Sequence, residues 1–108
     1  MAGGPSGVDR ETSFAYDTLV LEVHATSALK HGVSAESIHE VFASAFETDS
    51  AMIEDDDPPR WIMVGFDHAG RRLEVGVMLR SDGTYLAIHA MRARRSTVSA
   101  ITRARRGQ

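Results

Sequence analysis

Cysteine is absent from the 108-residue sequence, which excludes a disulfide framework, a thiolate metal site and a cysteine nucleophile. The same absence suits a reducing compartment. No stretch approaches the roughly 20 consecutive apolar residues that span a bilayer, and nothing after Met1 has the apolar core of a signal peptide. A cytoplasmic protein without a membrane partner is therefore expected. Common catalytic signatures are missing as well. There is no H-E-x-x-H helix, no phosphate-cradling glycine loop and no G-x-S-x-G elbow. Ser34 and Ser37 have no surroundings that suggest a triad. The acidic run Glu54 to Asp57 lacks the alternating ligands and central glycine of an EF-hand loop. Neither a metal nor a cofactor is expected.

What is present reads as one ordinary globular domain, with 43% hydrophobic and 25% charged residues. The net charge of −3 conceals a division along the chain. Residues 1–59 carry two basic side chains, Arg10 and Lys30, against twelve acids, whereas residues 60–108 carry ten arginines against three acids. An anionic partner and a plainly solvated surface both account for such a basic half. That every late cation is arginine adds weight to the first reading, because a guanidinium grips phosphate as a two-pronged fork.

Residues 1–13 lack an apolar period and read as a disordered lead-in to a single domain over 14–95, followed by a basic tail or short helix over 96–108. Residues 17–23 (DTLVLEV) suit a first strand, with a helix as the competing reading. A brief helix is expected over 24–31, closed by Gly32. The clearest helix follows, with Ser34 as N-cap and a stripe formed by Ile38, Val41, Phe42, Ala45 and Phe46. The segment 54–59 (EDDDPP) reads as an exposed loop, since its acids repel and its prolines break regular structure. Three strand signals come next, 61–66, 72–79 and 84–91. The turns between them carry Asp and Gly, which describes an antiparallel meander.

Alternation assigns the faces of that sheet. Leu73, Val75, Val77 and Leu79 share one face with Leu86, Ile88 and Ala90, and the long helix should cover it. The opposite face, left uncovered, carries Glu74, Gly76 and Met78 with Tyr85, Ala87, His89 and Met91. A four-residue turn at 80–83 pairs Leu79 with Thr84, which sets Glu74 opposite His89 and Arg72 opposite Met91.

These residues carry a resemblance. The run Lys30-His31-Gly32-Val33-Ser34, leading into an amphipathic helix with Val41-Phe42, is similar to the K-H-G-V-S segment of the BrnT toxins. Arg60-Trp61, Gly65, the run Gly70 to Val75 (GRRLEV) and the run Ile88 to Arg95 (IHAMRARR) follow in the order and spacing of that family. The likeness covers about residues 23–95. It differs in reading VHATSAL over Val23 to Leu29, without the family's tryptophan-aspartate opening and asparagine, and Ile88-His89-Ala90-Met91 where the family commonly has I-S-A-R. These departures mark a divergent branch. The resemblance implies an α+β fold of RelE/ParE type, two N-terminal helices packed on a small antiparallel sheet made of the three-stranded meander and an N-terminal strand. It implies the toxin of a bacterial type II toxin–antitoxin pair, acting as a ribonuclease on RNA. Its partner would be a cognate antitoxin, often of ribbon-helix-helix type.

Metal-free RNA cleavage needs a base for the 2′-hydroxyl, an acid for the leaving 5′-oxygen and cations for the phosphorane charge. His89 is the candidate acid or base, Glu74 the group that orients it, and Arg92 completes the catalytic set. Arg60, Arg72, Arg94 and Arg95 are candidates for holding the phosphate. A cross-strand Glu–His pair is also ordinary sheet stabilisation, worth roughly 0.2–1 kcal/mol. His24 and His31 are expected to cap or pack the first helix, His68 to sit solvated in a turn, and Arg60 to stack on Trp61 as readily as to bind phosphate. The arginines at 92–95 are equally suited to docking an acidic antitoxin segment. Two other functions fit the same residues. One is a non-catalytic, toxin-like interaction module or homodimer joined through Met63, Met78 and Met91 on the open face. The other is a ParE-like toxin directed at DNA or gyrase.

Overall fold

Ser34 begins the longest run of regular structure in the first half of the chain. Its backbone is extended, its hydroxyl accepts the Ser37 amide at 3.1 Å, and helix α1 (Ala35–Ala45) starts beside it. The stripe at helical spacing does what its pattern dictates: Ile38, Val41, Phe42 and Ala45 are buried and Phe46 is half-buried beside them. The computed structural model describes residues 20–46, 48–54 and 58–106, and of residues 52–54 the backbone alone. The lead-in expected over 1–13 and the first part of the strand expected over 17–23 lie outside the described residues.

Among the described residues, five strands form one mixed sheet in the order β1-β5-β4-β3-β2. They are β1 (Leu21–Val23), β2 (Ser50–Glu54), β3 (Arg60–Phe66), β4 (Arg72–Leu79) and β5 (Tyr85–Arg92). Strands β2 to β5 run antiparallel to their neighbours, and β1 pairs in parallel with β5. Helix α1 lies on one face, over Leu73, Val75 and Val77 of β4 and Met63 of β3, all fully buried. It approaches β3 closely because position 65 is glycine. A Cβ there would lie 3.1 Å from the Ala45 Cβ.

This architecture overturns the RelE/ParE-like expectation of two N-terminal helices on a small antiparallel sheet. Among the described residues only one helix precedes the meander, and the sheet has five strands with a parallel edge. Residues 25–31 form turns, not a helix. The His24 Nδ1 takes the amides of Thr26 and Ser27 at 3.3 and 3.2 Å, and Ala28 donates to the His24 carbonyl. One capped turn forms, but so short a segment cannot repay the cost of helix nucleation by itself. Gly32, with φ +81°, then reverses the chain into α1. Strand β2 was not foreseen, and it takes in Glu54, the first residue of the expected acidic loop. Residues 55–57 of that loop lie outside the described residues.

The second difference is a shift of register. Leu79 pairs with Tyr85, and the pairing holds to Val77 with Ala87, but Gly76 then pairs with His89. Ile88 is therefore an extra residue, a β-bulge. Before it, Tyr85 and Ala87 face α1 and are buried, while Leu86 points the other way. After it, Ala90 faces α1 and His89 and Met91 take the opposite face. The expected inward set of Leu86, Ile88 and Ala90 is thus corrected to Tyr85, Ala87 and Ala90. Glu74 stands opposite Met91, not His89.

The third difference is that the far face is not left uncovered. Helix α2 (Arg95–Arg106) crosses it, setting Ile101 and Val98 on Ala51, Ile62 and Val64. Arg105 donates to the Ser50 carbonyl at 3.1 Å and fastens the other end. Among the described residues no helix is long and apolar enough to cross a membrane.

Candidate functional site

Glu74 is a carboxylate on a sheet face, yet its exposure is 0%. Burying an anion is costly unless donors surround it, and here they do. Its Oε1 accepts the Arg94 backbone amide at 2.9 Å, and its Oε2 accepts the Arg94 guanidinium at 2.6 Å and the His89 Nε2 at 2.9 Å. Burial by itself would push the Glu74 carboxyl up. The Arg94 guanidinium and amide, the His89 ring and the Thr97 hydroxyl outweigh it and hold the group down at about 2. The Arg94 carbonyl in turn accepts the Thr97 and Val98 amides, so Glu74 sits at the N-terminal turn of α2, where a helix favours negative charge. One carboxylate therefore anchors α2 and orients His89.

His89 reaches Glu74 diagonally across the two strands, a geometry produced by the bulge. Gly76 makes room for it, since a Cβ there would stand 3.3 Å from the His89 Cβ. An ionised carboxylate only accepts hydrogen bonds, so the His89 Nε2 carries a proton. In the neutral ring Nδ1 then holds the lone pair. The His89 side chain remains 30% exposed. With Arg60, Ile62, Gly76, Ile88 and Arg94 it lines a shallow depression of about 220 Å³ beside α2.

The structure brings together His89, Glu74 and Arg94, with Arg60 on the rim of the same depression. It does not bring in the other candidates. Arg92 pairs with Leu73, so its position has the phase of the buried, α1-facing residues, and its side chain is exposed at the sheet end. Arg72 lines a separate hollow with Phe66 and Val98, its guanidinium 6.0 Å from the Phe66 ring centre. Arg95 is exposed in the first turn of α2. Met63 does not belong to the far face either, because it is fully buried under α1.

Two features escape a reading of the sequence. The ring of His31 lies edge-on to that of His89, centroid to centroid 6.0 Å. No local signal announces this contact, which follows from the parallel pairing of β1 with β5. Among the described residues, Phe66 is the large hydrophobic side chain left most exposed, at 60%.

A second polar cluster ties the β3–β4 turn to α1. Asp67 is buried and accepts from the Ser37 hydroxyl and the Arg71 guanidinium, both at 3.0 Å, and from the amides of Ala69 and Arg71. Burial would raise its carboxyl, but the Arg71 and Ser37 donors bring it to about 2. Next to it, His68 does more than sit in solvent. It pairs with Glu40 at 2.8 Å, which raises the pKa of the imidazole. Glu36, Glu40 and His68 bring one ligand atom each within 4.8 Å of one another. All three are solvent-accessible, and the Glu40–His68 ion pair accounts for their approach.

Comparison with known proteins finds no family model that matches the chain and no significant match among curated proteins.

Proposed function

We propose that the chain is the toxin of a bacterial toxin–antitoxin pair and cleaves RNA without a metal, working in the cytoplasm at the depression that holds His89. One observation carries the reading. A partly exposed imidazole has one nitrogen fixed by a buried, ionised carboxylate, and guanidinium groups border the same hollow. That is the equipment for moving a proton beside a phosphodiester. The His89 Nδ1 takes the proton of a 2′-hydroxyl, and Glu74 stabilises the imidazolium that results. The 2′-oxygen bonds to phosphorus, the bond to the 5′-oxygen breaks, and a 2′,3′-cyclic phosphate and a 5′-hydroxyl end are left. Arg60 and Arg94 offset the charge that builds on the phosphorane. The resemblance to the BrnT toxins points the same way, although the fold is not the one it implied. A cognate antitoxin, acidic where it docks and of ribbon-helix-helix type, would meet the arginines at 92–95 and along α2.

The test is cleavage of a single-stranded RNA oligonucleotide by the purified protein in excess chelator. Cleavage yielding 5′-hydroxyl ends is expected, slowed by about a hundredfold or more in His89→Ala, whose thermal unfolding should stay near that of the parent. Unimpaired cleavage by that variant overturns the site, and inertness of the parent protein overturns the function. The interaction-module reading loses ground because Met63 belongs to the α1 core.

A further inference from the structure

The reaction proposed above leaves one group unassigned. His89 accepts a proton, Glu74 is ionised and the guanidinium groups stay charged, so none of them delivers the proton that the departing 5′-oxygen needs. We propose that His31 is that general acid, so that the site works with two imidazoles contributed by different parts of the chain. The inference rests on the ribonuclease reading and adds its missing partner.

The fold holds His31 in position from both sides. Ala28 and Val33 are buried in the α1 core and Leu29 packs against it, so the turn that carries the histidine is pinned before and after it. Gly32 supplies the left-handed bend that directs the chain from there into α1. Strand β1 ends at Val23, opposite Ala87, so beyond Ala87 no strand of the described sheet lies beside β5 on that side. Past that end the turn carries the exposed His31 ring to the edge of His89, with the two planes 75° apart. With the ring centres 6.0 Å apart, a single phosphodiester seated at the depression can meet both, His89 at its 2′-hydroxyl and His31 at its 5′-oxygen.

The proton and bond count closes. The 2′-hydroxyl proton passes to the His89 Nδ1 as the bond from the 2′-oxygen to phosphorus forms. The bond from phosphorus to the 5′-oxygen breaks, and that oxygen takes the proton of the His31 imidazolium. His31 ends neutral and His89 protonated, and water exchanges the two protons back.

The experiment compares an ordinary RNA oligonucleotide with one in which sulfur replaces the bridging 5′-oxygen at a single cleaved linkage. A thiolate leaves without an acid. His31→Ala and His31→Gln should cleave the ordinary linkage about a hundredfold more slowly and the sulfur linkage at close to the parent rate, whereas His89→Ala should be slow on both. If the His31 variants cleave the ordinary linkage at the parent rate, or are equally impaired on both, His31 is not the acid. Those outcomes overturn this inference and leave the ribonuclease reading intact. A parent protein that cleaves neither oligonucleotide overturns both.

Discussion

Glu74 illustrates how a single side chain serves two elements. In the sequence it is one polar residue in an alternating strand, and alternation put it on the far face, where it lies. Its donors could not be read there, because Arg94 and Thr97 belong to a segment that reaches Glu74 only once the chain has folded. Gly76 has a similarly hidden purpose. In strand terms it is a weak residue, and Gly76→Ala should favour the local strand. A methyl group there would press on the His89 Cβ at 3.3 Å and displace the ring by a few tenths of an ångström. Misplacement of about 1 Å can cost a hundredfold in rate, so under the proposed ribonuclease function Gly76→Ala should lower RNA cleavage by roughly tenfold. A parallel assay and thermal melt check this, with activity falling and the melting temperature holding.

The two helices differ in how visibly the sequence announces them. α1 has a capping serine, an acid in its first turn and a continuous apolar stripe, and it formed where those signals put it. α2 carries only Val98 and Ile101 among its arginines, so its pattern is equally that of a frayed end. What decides the matter is the patch formed by Ala51, Ile62 and Val64, which awaits a cover on the far face. Ile101 is the buried centre of that cover. Ile101→Ala should cost about 2 kcal/mol and lower the urea midpoint without altering the denaturant slope. A change in slope would mean that α2 detaches as a unit before the rest unfolds.

At the scale of the whole molecule, two buried carboxylates connect parts distant in sequence. Asp67 ties the β3–β4 turn to α1, and Glu74 ties the sheet to α2. Both lie at about 2 in the folded protein, below their ordinary values of 3.8 and 4.5. The unfolded chain therefore binds protons that the folded one refuses. The stability from these groups is complete above about 4.5 and is lost as the pH falls toward 2. Urea midpoints measured across that interval should fall steadily. Glu74→Gln should show a lower midpoint at neutral pH and a shallower fall in acid. An identical fall in the variant would mean that Glu74 is not a source of the acid lability.

The amino-acid sequence by itself determined the α1 helix, the two turns of the meander, the inward face of β4 and the division of charge. All of these follow from near neighbours, through periodicity, capping and the special φ of glycine. Only the tertiary structure decided the bulge at Ile88, the parallel edge strand β1, the docking of α2 and the meeting of His31 with His89. Each depends on groups far apart in the chain, whose mutual burial or pairing outweighs any local preference. Glu74 and His89 were legible as neighbours on one face because alternation survives a register error there, the bulge restoring the phase that the longer turn had shifted. Arg92 was chosen as one of the arginine cluster at the strand end, yet alternation from Ala90 already turns its position toward the α1 face, and in the fold its side chain is exposed there.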